Sequence, residues 1–97
     1  MTEQDLQDQV VQLARSYGWL VYHVRGNTRN QVQGNAGFPD CILVRGSRML
    51  AVELKAADGK VGPLQERWLL ALSKVDSVRC TIWRPADLPD IIHTLAG

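Results

Sequence analysis

Two short apolar runs flanking a glycine-centred turn restrict this chain more than any other feature. Residues 41–44 read Cys-Ile-Leu-Val and residues 49–54 read Met-Leu-Ala-Val-Glu-Leu, and between them stand Arg45, Gly46, Ser47 and Arg48. Gly-Ser between two such runs is a two-residue hairpin signal, with glycine supplying the positive φ at the first central position. A hairpin closed on that turn has a fixed register: Arg45 faces Arg48, Leu43 faces Leu50 and Cys41 faces Val52. One pair further along, Asp40 faces Glu53. Opposed like charges on a sheet are destabilising, their Cβ atoms being about 4.5–5.5 Å apart. Lys55, two residues beyond Glu53, shares its face of the pleat and relieves part of that repulsion. A one-residue slip would destroy the arrangement, so the register is itself an expectation to be checked.

The rest of the chain supplies a frame for this hairpin. Leu6, Val10, Leu13, Ala14 and Tyr17 recur at helical spacing, with Thr2 available as a cap and Gly18 as a stop. Residues 19–24 form an apolar run rich in β-formers and predict a buried strand. Residues 25–37 carry glycines and amides without periodicity and predict a loop. Residues 56–62 are turn-rich, and Pro63 then suits the first turn of a helix that buries Leu64, Trp68, Ala71, Leu72 and Val75. Residues 78–83 predict a fourth strand, stopped by Pro85, and Asp87 caps a last helix with the stripe Leu88, Ile91, Ile92 and Leu95. The order is α-β-β-β-α-β-α. It predicts an α/β fold, a mixed central sheet flanked by helices.

With 97 residues, 45% of them hydrophobic and 22% charged, the composition is that of an ordinary globular protein and predicts one domain over residues 1–97. No apolar run approaches the ~20 residues of a membrane span, so no membrane partner is expected. Glu3, Asp5 and Asp8 precede the first base, which argues against a signal peptide and for a cytoplasmic protein. Cys41 and Cys80 lack the spacing of a zinc site and read as small buried hydrophobes in a reducing compartment. His23 and His93 have no evident metal partners and read as ordinary strand and helix residues.

The net charge is +1, but it is unevenly spread. Residues 1–14 hold three acids and no base. Residues 15–60 hold seven bases (Arg15, Arg25, Arg29, Arg45, Arg48, Lys55 and Lys60) against Asp40, Glu53 and Asp58. The basic middle segment, with Arg25, Arg29 and Lys60 as its candidate contacts, suits phosphate oxygens of a nucleic acid and carries no pattern for reading bases.

Asp40 and Glu53 offer carboxylate oxygens on a rigid scaffold, a donor set that suits a hard divalent ion such as Mg²⁺. Such an ion generates a hydroxide nucleophile and neutralises charge on a phosphoryl oxygen. Lys55 is placed to orient the attacking water or to stabilise the transition state. Each residue taken singly is more often structural; together, in facing register, they make a candidate site.

Gly37-Phe38-Pro39-Asp40, then twelve residues, then Glu53-Leu54-Lys55, resembles the PD-(D/E)xK nuclease motif, and the element order is similar to that superfamily's restriction-endonuclease-like core. Glu3 with Leu6-Gln7, Gly18-Trp19, and Gln65 in the helix after the lysine further resemble the VRR-NUC branch, the virus-type replication-repair nucleases. The resemblance runs from Glu3 to Pro85. It implies that Asp40, Glu53 and the Leu54 carbonyl bind Mg²⁺ or Mn²⁺, with Glu3 completing the acidic cluster. It implies that Lys55 assists the nucleophilic water, with Gln65 beside it. One departure is that Val61-Gly62-Pro63-Leu64 lacks the serine that often precedes the glutamine.

The expectation is therefore a metal-dependent, structure-selective DNA endonuclease without a small-molecule cofactor. The bareness of the chain, together with the resemblance, points to a homodimer that resolves four-way (Holliday) junctions, because two symmetric nicks need two sites. The alternatives are a nuclease directed at flaps or nicks in repair, and a non-catalytic nucleic-acid-binding module with a nuclease fold.

Overall fold

The computed structural model describes residues 1–23 and 33–97. Helix α1 (Glu3–Ser16) begins at a reciprocal cap: Thr2 Oγ1 accepts from the Asp5 N–H at 3.0 Å, and the Asp5 carboxylate accepts from the Thr2 N–H at 2.9 Å. Those bonds hold the Asp5 carboxyl below its usual value. Gly18, at φ 84°, turns the chain out of the helix and into strand β1 (Leu20–His23). Strands β2 (Cys41–Arg45) and β3 (Arg48–Leu54) follow, then α2 (Pro63–Ser73), β4 (Val78–Trp83) and, after a 3₁₀ turn at Pro85–Asp87, α3 (Leu88–Ala96).

The four strands lie in chain order. β1, β2 and β3 are antiparallel neighbours, and β4 joins β3 in parallel after the α2 crossover. The expected hairpin register is present, with Arg45 opposite Arg48, Leu43 opposite Leu50 and Cys41 opposite Val52. Gly46 takes φ 60° while Ser47 stays at negative φ, the type II′ pattern that the Gly-Ser pair predicts.

One sheet face carries the core. Cys41 and Leu43 from β2, Leu50, Val52 and Leu54 from β3, and Trp83 from β4 pack with Leu6, Val10 and Ala14 of α1 and Ile91 and Leu95 of α3. Trp19 closes the end of this core and donates its indole N–H to the Leu95 carbonyl at 2.9 Å. Arg45 and Arg48, an opposed pair of like charges, both stack on the Trp19 ring, 4.6 and 4.9 Å from its centroid. Arg45 also donates to the carbonyls of Tyr17 and Leu95, and Arg48 to that of Thr94, so both complement helix C-terminal ends. Two of the seven bases in the basic middle segment are thus structural.

Several expectations need correcting. The strand at 19–24 is not buried throughout: β1 is an edge strand with one face uncovered, which leaves Leu20 and Tyr22 exposed and alternating with Val21 and His23. Val24 lies outside the described residues. Tyr17 falls beyond the last turn of α1 and is exposed. The stripe predicted for α2 is not buried either, because α2 lies against β4 at one side of the second sheet face. Leu64, Ala71 and Val75 are exposed, and Trp68 and Leu72 half-buried. Asp87 precedes α3, but its carboxylate accepts from the Arg84 N–H and so caps the 3₁₀ turn instead. Both cysteines are free thiols. Burial, chiefly, pushes the Cys41 thiol up to about 12, whereas Cys80 is half-buried, with its thiol raised for the same reason. No helix among the described residues is long and apolar enough to cross a membrane.

Candidate active site

The site lies where the end of β3 meets the residue that opens β2. Asp40 stands one pair past the last rung of the β2–β3 ladder, opposite Glu53, and its Oδ2 accepts from the Leu54 N–H at 2.8 Å. That bond makes the aspartate a clasp between the two strand ends. Glu53 is 1% exposed, and it is the one buried charged residue among those described. Lys55 Nζ lies 3.6 Å from Glu53 Oε2, with its side chain 12% exposed. The side chains of Glu53 and Lys55 therefore share the face that the register assigned to them.

The electrostatics follow from this geometry. Burial, first, and the neighbouring Asp40 carboxylate, second, push the Glu53 carboxyl from 4.5 up to about 7; Lys55 opposes the shift, and Glu3 adds the least to it. Glu3 occupies the exposed first turn of α1. Among the described residues, no three His, Cys, Asp or Glu side chains converge closely enough to hold a metal, so the acidic centre is a pair. Gln7, one turn after Glu3, has its amide nitrogen 2.8 Å from His23 Nδ1. This contact ties the start of α1 to the end of β1. The i, i+4 spacing of Glu3 and Gln7 is legible in the sequence, but nothing there marks His23.

Two backbone devices hold the surroundings. Lys55 continues the parallel pairing by donating its N–H to the Trp83 carbonyl at 3.0 Å. Just beyond, Arg84 Nη1 donates to the carbonyls of Ala56 and Gly59 at 2.8 and 2.7 Å, which fixes the turn that follows the lysine. In the sequence Arg84 leaves one signal, an arginine placed after a strand and before a proline. On the other side, Gly37 has φ 94° and packs on the first turn of α2, where a Cβ would come within 2.5 Å of the Leu64 carbonyl carbon. Gly37→Ala should therefore destabilise the fold by at least about 2 kcal/mol, combining a left-handed backbone penalty with a backbone clash. A thermal melt checks this, and a drop of less than a few degrees would mean that the Gly37–Asp40 segment is not seated on α2.

Gln65 is placed in that same first turn. Its Oε1 accepts from the Gly62 N–H at 2.9 Å, closing the start of α2 in the absence of a capping side chain at Gly62. No hydrogen bond joins Gln65 to Lys55 among the described residues. Lys60 is exposed on the segment beyond the Arg84-fixed turn. Arg25 and Arg29 lie outside the described residues.

No family model and no curated protein matches the chain. A solved structure does: a "VRR_NUC domain protein" superposes with a TM-score of 0.69 at 20% sequence identity, covering 98% of this chain and 85% of that one. The architecture, an α/β fold with a mixed four-stranded sheet and flanking helices, is accordingly similar to the fold of that VRR-NUC domain protein. At that identity the likeness is one of fold.

Proposed function

We propose that this protein is a metal-dependent DNA endonuclease that hydrolyses phosphodiester bonds and, as a homodimer, resolves four-way junctions. The observation that carries the reading is the Asp40–Glu53 pair with Lys55 at 3.6 Å: two carboxylates and one ammonium, with Glu53 buried. With both carboxyls ionised the cluster holds two negative charges against one positive, a deficit that adds to the burial which chiefly raises the Glu53 carboxyl. A divalent cation would make it up. Asp40, Glu53 and the Leu54 carbonyl would hold Mg²⁺ or Mn²⁺, an all-oxygen set with few protein ligands, as those ions prefer. When bound, the ion supplies Lewis acidity and a water of lowered pKa. Lys55 holds the attacking water through its ammonium hydrogens and offers its charge to the phosphoryl oxygens. Glu3, in the exposed first turn of α1, adds negative charge from beyond the pair. Gln65 serves the site through the turn it closes, against which Gly37 and hence Asp40 are seated. Lys60, with Arg25 and Arg29, contacts the phosphate backbone, and the weak net charge favours a dimer that doubles those contacts.

The test uses labelled four-way junctions, flaps, nicked and linear duplexes, in Mg²⁺, Mn²⁺, Ca²⁺ or excess EDTA. Paired nicks in the junction are expected in Mg²⁺ and Mn²⁺, binding with little turnover in Ca²⁺, and a light-scattering mass near twice 10.8 kDa. Cleavage in EDTA would remove the metal. Cutting of flaps or nicks with junctions left intact would move the reading to a repair nuclease. Binding without cutting in any metal would leave a nucleic-acid-binding module.

A further inference from the structure

Phe38 is 47% exposed two residues before Asp40, an unusual place for a bare aromatic ring. It is not there through slack in the chain. Gly37 is wedged against the backbone of Leu64 and Gln65, and on the other side Pro39 is buried and confines the residue before it to extended backbone. The ring meets Trp68 of α2 edge to face, with centroids 4.9 Å apart and planes at 85°. Trp68 is fixed in turn, since its indole N–H donates to the Asn35 carbonyl at 3.1 Å. Leu64, also exposed, extends the apolar surface. Beside it runs a groove of about 160 Å³ lined by Asn35, Arg67, Trp68 and Ala71. The result is a held aromatic platform with a cation at its margin, continuous with the segment that carries Asp40.

We propose that the Phe38 ring, buttressed edge to face by Trp68, is a stacking platform for an unpaired nucleobase next to the scissile phosphate, with Arg67 on a flanking phosphate. The proposal rests on the nuclease reading and deepens it: a branch point, including the crossover of a four-way junction, interrupts base stacking, and a base freed there is the one the platform holds. Phe38 stands two residues before Asp40 on the same held segment, and the chemistry of the patch matches a nucleotide: aromatic surface for a base, guanidinium for phosphate. Aromatic platforms hold bases of any sequence, because every base has a π-face. Preference for unpaired DNA then comes from the cost of unstacking a base that still has a partner.

The full chain is titrated in Ca²⁺ onto a duplex with a single unpaired 2-aminopurine at the branch, and onto its fully paired counterpart. Stacking should quench the unpaired probe. Phe38→Ala should abolish the quench and weaken binding of the unpaired substrate about ten-fold, as loss of one stacked base does, while leaving the paired duplex within two-fold. Phe38→Trp should restore both, and unchanged melting of the alanine variant should exclude misfolding. Equal weakening on both substrates, or no quench by the wild type, would overturn the platform with DNA binding intact. A lower light-scattering mass for Phe38→Ala would overturn it in favour of a subunit interface. Failure to bind either DNA would remove the proposal together with the nuclease reading.

Discussion

Replacing Lys55 by alanine should leave a folded protein whose DNA cleavage has fallen by about 10²–10⁴-fold, the range for a lost acid–base or charge-stabilising group. The side chain is largely buried, and Glu53 Oε2 at 3.6 Å is the one ion-pair partner found for it among the described residues. Its removal acts twice. The reacting phosphate loses a positive charge, and Glu53 loses the neighbour that opposes the upward push of burial, Asp40 and Glu3. Glu53 should then hold its proton to still higher pH, whereas cleavage needs it ionised. The residual activity of Lys55→Ala is therefore expected to rise with pH over a range lying above that of the wild type. Lys55→Arg keeps the charge and should keep the wild-type range even if it cuts more slowly. Single-turnover rates across pH 6–9 at subsaturating Mg²⁺, where proton and metal compete for Glu53, decide the matter. An alanine variant that cuts at the wild-type rate would remove Lys55 from the chemistry, and one with an unshifted profile would show that Lys55 does not govern Glu53.

The hairpin was legible because its register depends on local chemistry alone. A Gly-Ser turn admits few geometries, and the period of two then decides which residue faces which. That was enough to bring Asp40 opposite Glu53 and to set Lys55 beside it. The first helix was legible for the same reason, a cap and a stripe. What stayed hidden depends on which surfaces other elements cover. Nothing in the apolar spacing of Leu64, Trp68 and Ala71 says that α2 meets the sheet chiefly at β4, or that the uncovered side of β1 leaves Leu20 and Tyr22 in water. Arg45 and Arg48 add to the count of bases in the middle segment, and nothing in that count shows that Trp19 and three helix-terminal carbonyls hold them. Arg84 is a similar case: its carbonyl partners are distant in sequence and carry no side-chain signature.

Glu53→Gln should make the metal-free protein more stable at pH 8 and change it little at pH 4, although it removes a buried ion-pair partner. In the unfolded chain the carboxyl titrates near its ordinary 4.5, and in the fold near 7. Between those values the folded protein holds a proton that the unfolded chain has released, so stability falls as pH rises through the window, by roughly 3 kcal/mol in total. Below the window both states are protonated and the group costs nothing; above it the full cost is present. Glutamine has the shape of the protonated acid and avoids that cost at every pH. The pull of Lys55 on the ionised carboxylate is already contained in the folded value near 7, so the gain at pH 8 is at most that same roughly 3 kcal/mol, and each kcal/mol raises the melting temperature by about 4–8 °C for a domain of this size. Saturating Mg²⁺ should reverse the ranking, because an ion that binds the folded carboxylate pair stabilises the wild type by mass action and finds one ligand fewer in the variant. Melts at pH 4 and pH 8, with and without Mg²⁺, supply four values for each protein. A glutamine variant that melts lower than wild type at pH 8 without metal would mean that the charged Glu53 carboxylate is itself a structural partner. The charge deficit on which the proposed metal site rests would then be absent.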